Sequence, residues 1–158
     1  MKTILAPTDF SQRSEYAFNL AAEFAEKFGA QLILFYVIPQ EQTHFAKEIM
    51  VEQKFTIPGY SEEELIKRRR EKVLEEFEKI IPDYKDRRIS VRAEVVVGNP
   101  VEKILDAIKE FDVDLVVMGT QGRTGINLAL IGSVAEKVVR HSPVPVTTVK
   151  APGFKPEN

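Results

Sequence analysis
The sequence predicts an α/β protein: a doubly wound, five-stranded parallel sheet in the order 3-2-1-4-5, with helices on both faces. Three observations carry this. Apolar runs short enough to be buried strands recur at residues 2–7, 32–38, 90–97, 114–119 and 143–149. Segments with helical apolar spacing separate them, and strands alternating with helices predict a parallel sheet covered on both sides. Right-handed crossovers then leave few ways of winding the chain. In the order 3-2-1-4-5, strands 1 and 4 are neighbours where the winding reverses, and ligands bind in that crevice at the carboxyl ends of the strands.

Strand 1 ends in Pro7, Thr8 and Asp9. Ser11 can cap the next helix, in which Ala17, Leu20, Ala21, Phe24 and Phe28 keep helical spacing and Gly29 is a good stop. Phe24 and Phe28 read as core. Strand 2, LILFYVI, ends at Pro39. Residues 40–60 are too long for an ordinary connection and read as an irregular insert or flap with room for a short helix near 45–53. His44, inside it, reads as a solvated loop residue rather than a ligand. Ser61 and Glu64 form a capping box that opens a helix running to about Ile80. Its expected buried stripe is Leu65, Val73, Leu74, Phe77 and Ile80. The KRRR run at 67–70 follows Glu62, Glu63 and Glu64 at helical pairing distances, so it reads as an ion-paired, solvated face rather than a nucleic-acid patch. Gly98 ends strand 3, Asn99 can cap, Pro100 suits the first helical position and Glu102 completes a second capping box. Val101, Ile104, Leu105 and Ile108 form the stripe of that helix. The last helix is expected over 133–140. Residues 151–158 read as a frayed tail, and without repeats or a linker residues 1–150 read as one domain.

Composition narrows the class. At 158 residues with 44% hydrophobic and 29% charged side chains, the chain reads as a globular protein rather than a disordered one. A net charge of -2, with basic residues interleaved among acidic ones, gives no support to nucleic-acid binding. The absence of Cys rules out disulfides and thiolate chemistry. No apolar span approaches the ~18 residues of a membrane helix, and MKTILAPTDFS meets Pro and Asp too soon for a signal peptide. The expected location is the cytoplasm.

The chemistry is concentrated between Met118 and Glu136, MGTQGRTGINLALIGSVAE. Two residues separate Gly119 from Gly122, and nine separate Gly122 from Gly132, which precedes Ser133. Glycines where a strand passes into a helix let backbone N–H groups approach an anion, and the helix terminus adds unpaired donors. The stretch therefore reads as a phosphate cradle. It is neither a P-loop, lacking the Gly-Lys pair, nor a G-x-G-x-x-G loop. Asp9, just beyond strand 1, falls beside it. Two readings of Asp9 stand: an acceptor for ribose hydroxyls or partner of a phosphate-bound metal, and a cap for its own turn or helix. Ser133 likewise either donates to phosphate or caps its helix through S-x-x-E with Glu136. Arg123 is the lone cation in the loop, either on phosphate or in solvent.

Taken together, PTDFS (Pro7 to Ser11), VGNP (Val97 to Pro100), the G-x2-G-x9-G-[ST] pattern and SPVPV (Ser142 to Val146) resemble the universal stress protein family, in its ATP-binding subclass. The resemblance covers nearly the whole chain apart from residues 40–60 and the tail. It implies an adenine-nucleotide alpha-hydrolase-like fold. It implies that Pro7, Thr8 and Asp9 meet the adenosine end, with Asp9 on ribose, and that Val37 meets adenine partly through its backbone. Met118, Gly119, Gln121, Gly122, Gly132, Ser133 and Val134 would hold the ribose-triphosphate side. A basic residue in place of Gln121 would grip phosphate more strongly. The resemblance further implies ATP (or ADP or AMP) with Mg²⁺ or Mn²⁺ on the phosphates, and a homodimer through strand 5, between Val144 and Val149. That apolar edge needs covering. The leading expectation is a nucleotide-regulated dimeric stress-response protein with no catalytic residues. The alternatives are a slow ATPase or phosphotransferase and a nucleotide-free dimeric scaffold. Against efficient catalysis, no Ser-His-Asp set and no paired carboxylates lie near the loop, and His141 is remote from it.

Overall fold
The computed structural model describes residues 1–40, 61–85, 87–120 and 132–150. Within them the chain runs β1 (Thr3–Thr8), α1 (Gln12–Phe28), β2 (Gln31–Pro39), α2 (Glu62–Ile80), α3 (Pro82–Lys85), β3 (Val91–Gly98), α4 (Pro100–Glu110), β4 (Leu115–Gly119), α5 (Ser133–His141) and β5 (Val146–Val149). The strands form an all-parallel five-stranded sheet in the expected order, β3-β2-β1-β4-β5. The four-residue α3 was not anticipated. His44 and the tail lie outside the described residues, and no described helix is long and apolar enough to cross a membrane.

Unbroken apolar runs become central strands because both of their faces are covered. Alternate residues supply two separate cores. Ile4, Ala6, Leu32, Leu34 and Tyr36 pack with Ala17, Ala21 and Ala25 of α1 and Phe77 of α2. Leu5, Ile33, Phe35, Val37, Val116 and Met118 pack on the opposite face with Ile104, Ala107 and Ile108 of α4 and Ala135 and Val138 of α5. Ser11, Ser61 and Asn99 cap α1, α2 and α4 as their side chains predict, each accepting from a first-turn N–H.

Three local expectations are corrected. Phe28 is 56% exposed rather than core. It stands on the last turn of α1, where the chain leaves through left-handed Gly29, and its ring leans on Phe24 at 6.3 Å. Leu74 is also exposed. Val73 and Phe77 carry the contact of α2 with the sheet, and Leu74 lies ~100° round the helix from Val73. β5 begins at Val146 rather than at Pro143 or Val144. Ser142 Oγ accepts from the Val144 N–H and donates to the Val144 carbonyl, so that stretch is spent on a turn.

The two ends of β1 differ in how they are tied to the chain around β4. The ladder pairs Ile4 with Leu115 and Leu5 with Val116. Both strands continue beyond those pairs, β1 to Thr8 and β4 to Gly119, so they part toward their carboxyl ends. At the other end, the Lys2 and Thr3 N–H groups donate to Asp114 Oδ2, and Asp114 N–H donates to the Thr3 carbonyl at 2.9 Å.

The Lys2 and Thr3 N–H groups hold the Asp114 carboxyl below its ordinary range. A depressed pKa stabilises the fold above the unfolded carboxylate value of about 3.9, and that contribution is lost as pH falls through the folded value. Asp114→Asn is therefore expected to lower the urea midpoint at pH 7, with the gap from the parent protein closing in acid. In the core, Ile108→Ala should cost ~2–5 kcal/mol by urea denaturation, and the half-buried Leu105→Ala less.

Candidate functional site
Where β1 and β4 part, a cavity of about 240 Å³ opens at the carboxyl ends of the strands. Pro7, Thr8 and Asp9 line it from β1, Val37 from β2, Met118 and Gly119 from β4, and Gly132, Ser133 and Val134 from the start of α5. These are the site residues expected from the sequence, except Gln121 and Gly122, which with Arg123 lie outside the described residues. Ser14, Tyr36, Pro39, Pro100, Ile104 and Thr120 also line the cavity and were not anticipated. Pro100 could have been found from the VGNP turn, since it opens the helix that follows β3. Tyr36 could have been found as the register partner of Thr8. Ser14 and Thr120 carried no sequence signal.

The β1–α1 loop is held by a closed set of hydrogen bonds. Thr8 Oγ1 donates to Ser14 Oγ at 2.9 Å and accepts from the Phe10 N–H at 2.9 Å. Ser14 Oγ donates to the Ser11 carbonyl at 2.7 Å. The Ser11 N–H donates to Asp9 Oδ1 at 3.0 Å. The turn-capping reading of Asp9 is thus correct for one carboxylate oxygen, while the residue also faces the cavity. Between Asp9 and Ser11 the backbone takes a left-handed step at Phe10, φ 59°. For a bulky residue that conformation costs on the order of 1–3 kcal/mol and persists only when its surroundings enforce it.

The opposite wall is built from main chain. The Thr120 N–H donates to the Val149 carbonyl at 3.0 Å, and the Gly132 N–H donates to the Thr120 carbonyl at 2.6 Å. Gly132, in extended conformation, takes the N-cap position of α5 and offers no side-chain cap. This corrects the capping reading of Ser133. The helix begins one residue earlier than a serine cap would place it, so Ser133 is its first helical residue and Glu136 pairs instead with Arg140 at 2.9 Å. The first turn of α5 therefore presents N–H groups without a side-chain acceptor, at the positive end of a nine-residue helix that borders the cavity. A Cβ at Gly119 would lie 3.4 Å from the carbonyl carbon and oxygen of Arg13 in α1, a contact that packing tolerates. Asp9 is the only Asp, Glu, Lys, Arg or His among the described lining residues. An anion in this cavity would meet backbone dipoles and hydroxyls, and a polyhydroxyl group would meet the carboxylate.

These features define a doubly wound α/β protein with a crevice at its topological switch point. The universal stress protein family model matches residues 1–150, and the chain belongs to that family. Universal stress protein MJ0577 of Methanocaldococcus jannaschii is 31% identical over 155 residues, covering 94% of each chain. The solved structure of MJ0577 superposes with a TM-score of 0.76 at 30% identity, covering 99% of this chain and 98% of that one. Two solved universal stress proteins share the fold at lower identity. One, in complex with cAMP, has a TM-score of 0.63 at 23% identity and covers 94% of this chain and 95% of its own. The other, from Archaeoglobus fulgidus in complex with dAMP, has a TM-score of 0.62 at 20% identity and covers 95% and 98%.

Ser14 is 4% exposed and bonds both Thr8 and Ser11. Ser14→Ala should leave the Thr8 hydroxyl and the Ser11 carbonyl without that partner and lower stability by ~1–3 kcal/mol in thermal or urea unfolding.

Proposed function
We propose that this universal stress protein binds ATP in the crevice between β1 and β4 and acts as a nucleotide-regulated dimeric stress-response protein. One observation carries the reading. The described residues expected at both ends of the nucleotide, from Pro7 to Asp9 and from Gly132 to Val134, converge on a single cavity. In this reading the Asp9 carboxylate accepts from ribose, the β2 end at Val37 lies against adenine, and the phosphates sit at the uncapped start of α5 with Gly119 and Ser133 beside them. Gln121 and Gly122 complete the cradle. The relatives in complex with cAMP and dAMP support an adenine nucleotide as the ligand class. ADP and AMP fit the same contacts with fewer phosphates.

A divalent cation suits the donor set only as a companion of the phosphates. No cluster of three metal-ligating His, Cys, Asp or Glu side chains occurs among the described residues. Asp9 is the one carboxylate lining the cavity there, with the Ser133 hydroxyl on the far wall. Mg²⁺ or Mn²⁺ would supply charge neutralisation for the triphosphate, which the described lining does not provide. A lone carboxylate is also a poor basis for general acid–base catalysis, so binding is favoured over rapid hydrolysis. The dimer is assigned to β5, an edge strand that would be covered by antiparallel pairing with a second copy in a C2 arrangement. Nucleotide occupancy would then be read at the dimer surface.

Titration calorimetry with ATP, ADP and AMP tests the reading. ATP is expected to bind the parent protein, and Gly122→Val should abolish binding with the fold retained by circular dichroism. Unchanged affinity in that variant defeats the cradle. Sustained ATP turnover well above background, lost in Asp9→Ala, would instead establish the ATPase.

A further inference from the structure
We infer that Phe10 is a positioning residue for Asp9, and that through Asp9 it sets the preference of the crevice for a ribose-bearing nucleotide over one without sugar hydroxyls. The inference rests on the nucleotide reading above and deepens it.

Phe10 does not line the crevice. Its backbone acts there by stepping into the left-handed region directly after Asp9. That step is what lets the Phe10 N–H return to Thr8 Oγ1 while the Ser11 N–H reaches Asp9 Oδ1. One Asp9 carboxylate oxygen is thus tied to the loop while the residue lines the cavity. A left-handed aromatic residue needs an external anchor, and the ring has one. It stacks on Tyr36, a wall of the crevice, with centroids 5.2 Å apart and planes 29° apart. It also meets Phe77 of α2, with centroids 5.1 Å apart, and Phe77 is fully buried. The ring is therefore held against both the crevice wall and α2, on the face of the sheet that Tyr36 and Phe77 share. Phe10 also borders a second cavity of about 330 Å³ between α1 and the α2–α3 turn, so it has room to move once the grip of Phe77 is weakened. Glycine or asparagine would satisfy the backbone angle without the anchor. An aromatic residue at this position therefore supplies rigidity rather than backbone geometry.

The test compares the affinities of ATP and 2′,3′-dideoxyATP, which differ only in the sugar hydroxyls. A hydrogen bond from a sugar hydroxyl to an ionised acceptor in this site is expected to give the parent protein a preference for ATP of about tenfold. Asp9→Asn should reduce it to about twofold or less. Phe10→Gly should do the same while leaving 2′,3′-dideoxyATP affinity near that of the parent, and Phe10→Tyr should restore the preference. Phe77→Leu, which leaves the loop sequence and the cavity lining intact, should lower the preference in part and carries the test if the Phe10 variants do not fold. If Phe10→Gly and Phe77→Leu lose thermal stability but keep the parental ratio, the ring is merely structural and the inference fails. If the parent binds ATP and 2′,3′-dideoxyATP equally, the inference fails and the nucleotide reading stands. If the parent binds neither, the nucleotide reading itself is wrong and the inference falls with it.

Discussion
The parting of β1 from β4 is the constraint on which the rest of the molecule depends. Two adjacent parallel strands normally satisfy each other's backbone groups along their whole overlap. Here the ladder joins Ile4 to Leu115 and Leu5 to Val116, while both strands run on. Helices α1 and α5 leave these two strands toward opposite faces of the sheet, as the two separate cores record. The space between the strand ends is therefore covered by neither helix. Backbone that would otherwise close a sheet borders a cavity, and Pro7, which has no N–H to leave unsatisfied, is suited to that place.

The two walls of the crevice are built on different principles. The β1–α1 wall is rigid through side chains: Thr8, Ser14, Ser11 and Asp9 bond to one another within a short loop. The β4–α5 wall presents main chain, with Gly119 and Gly132 in it and a helix start left without a side-chain cap. One wall carries the single described negative charge and the other the positive end of a helix. In the proposed reading this would orient a nucleotide, since an anionic end and a hydroxyl-bearing end would find complementary surroundings at opposite sides.

Much of the fold is legible in the sequence because strands buried on both faces must be unbroken apolar runs, and LILFYVI and DLVVMG are such runs. Handedness leaves few strand orders, and the places of Asp9 and the glycines at strand ends favour the one observed. Burial at the periphery is less legible. Helical spacing alone does not say how far the sheet extends beneath a helix, which is why Phe28 and Leu74 depart from expectation. At the site, Asp9, Gly119 and Gly132 stand out because each lies just past a strand or just before a helix. Ser133 is visible too, but S-x-x-E is a local pattern that suggests a cap, and the glycine before it decides where the helix starts. Ser14 and Thr120 escape sequence reasoning because their importance lies in partners supplied by tertiary structure.

The hydrogen bond between the Gly132 N–H and the Thr120 carbonyl has a further consequence. It brings the departure and return of the intervening chain to a single point, a stem that is closed on its own account. Lengthening a connection between ends already held together costs only about 0.6 kcal/mol per doubling in closure entropy. The sheet and α5 would not register the change. The fold can thus tolerate a change of length between Thr120 and Gly132, whereas the proposed phosphate cradle depends on Gln121 and Gly122 within that stretch.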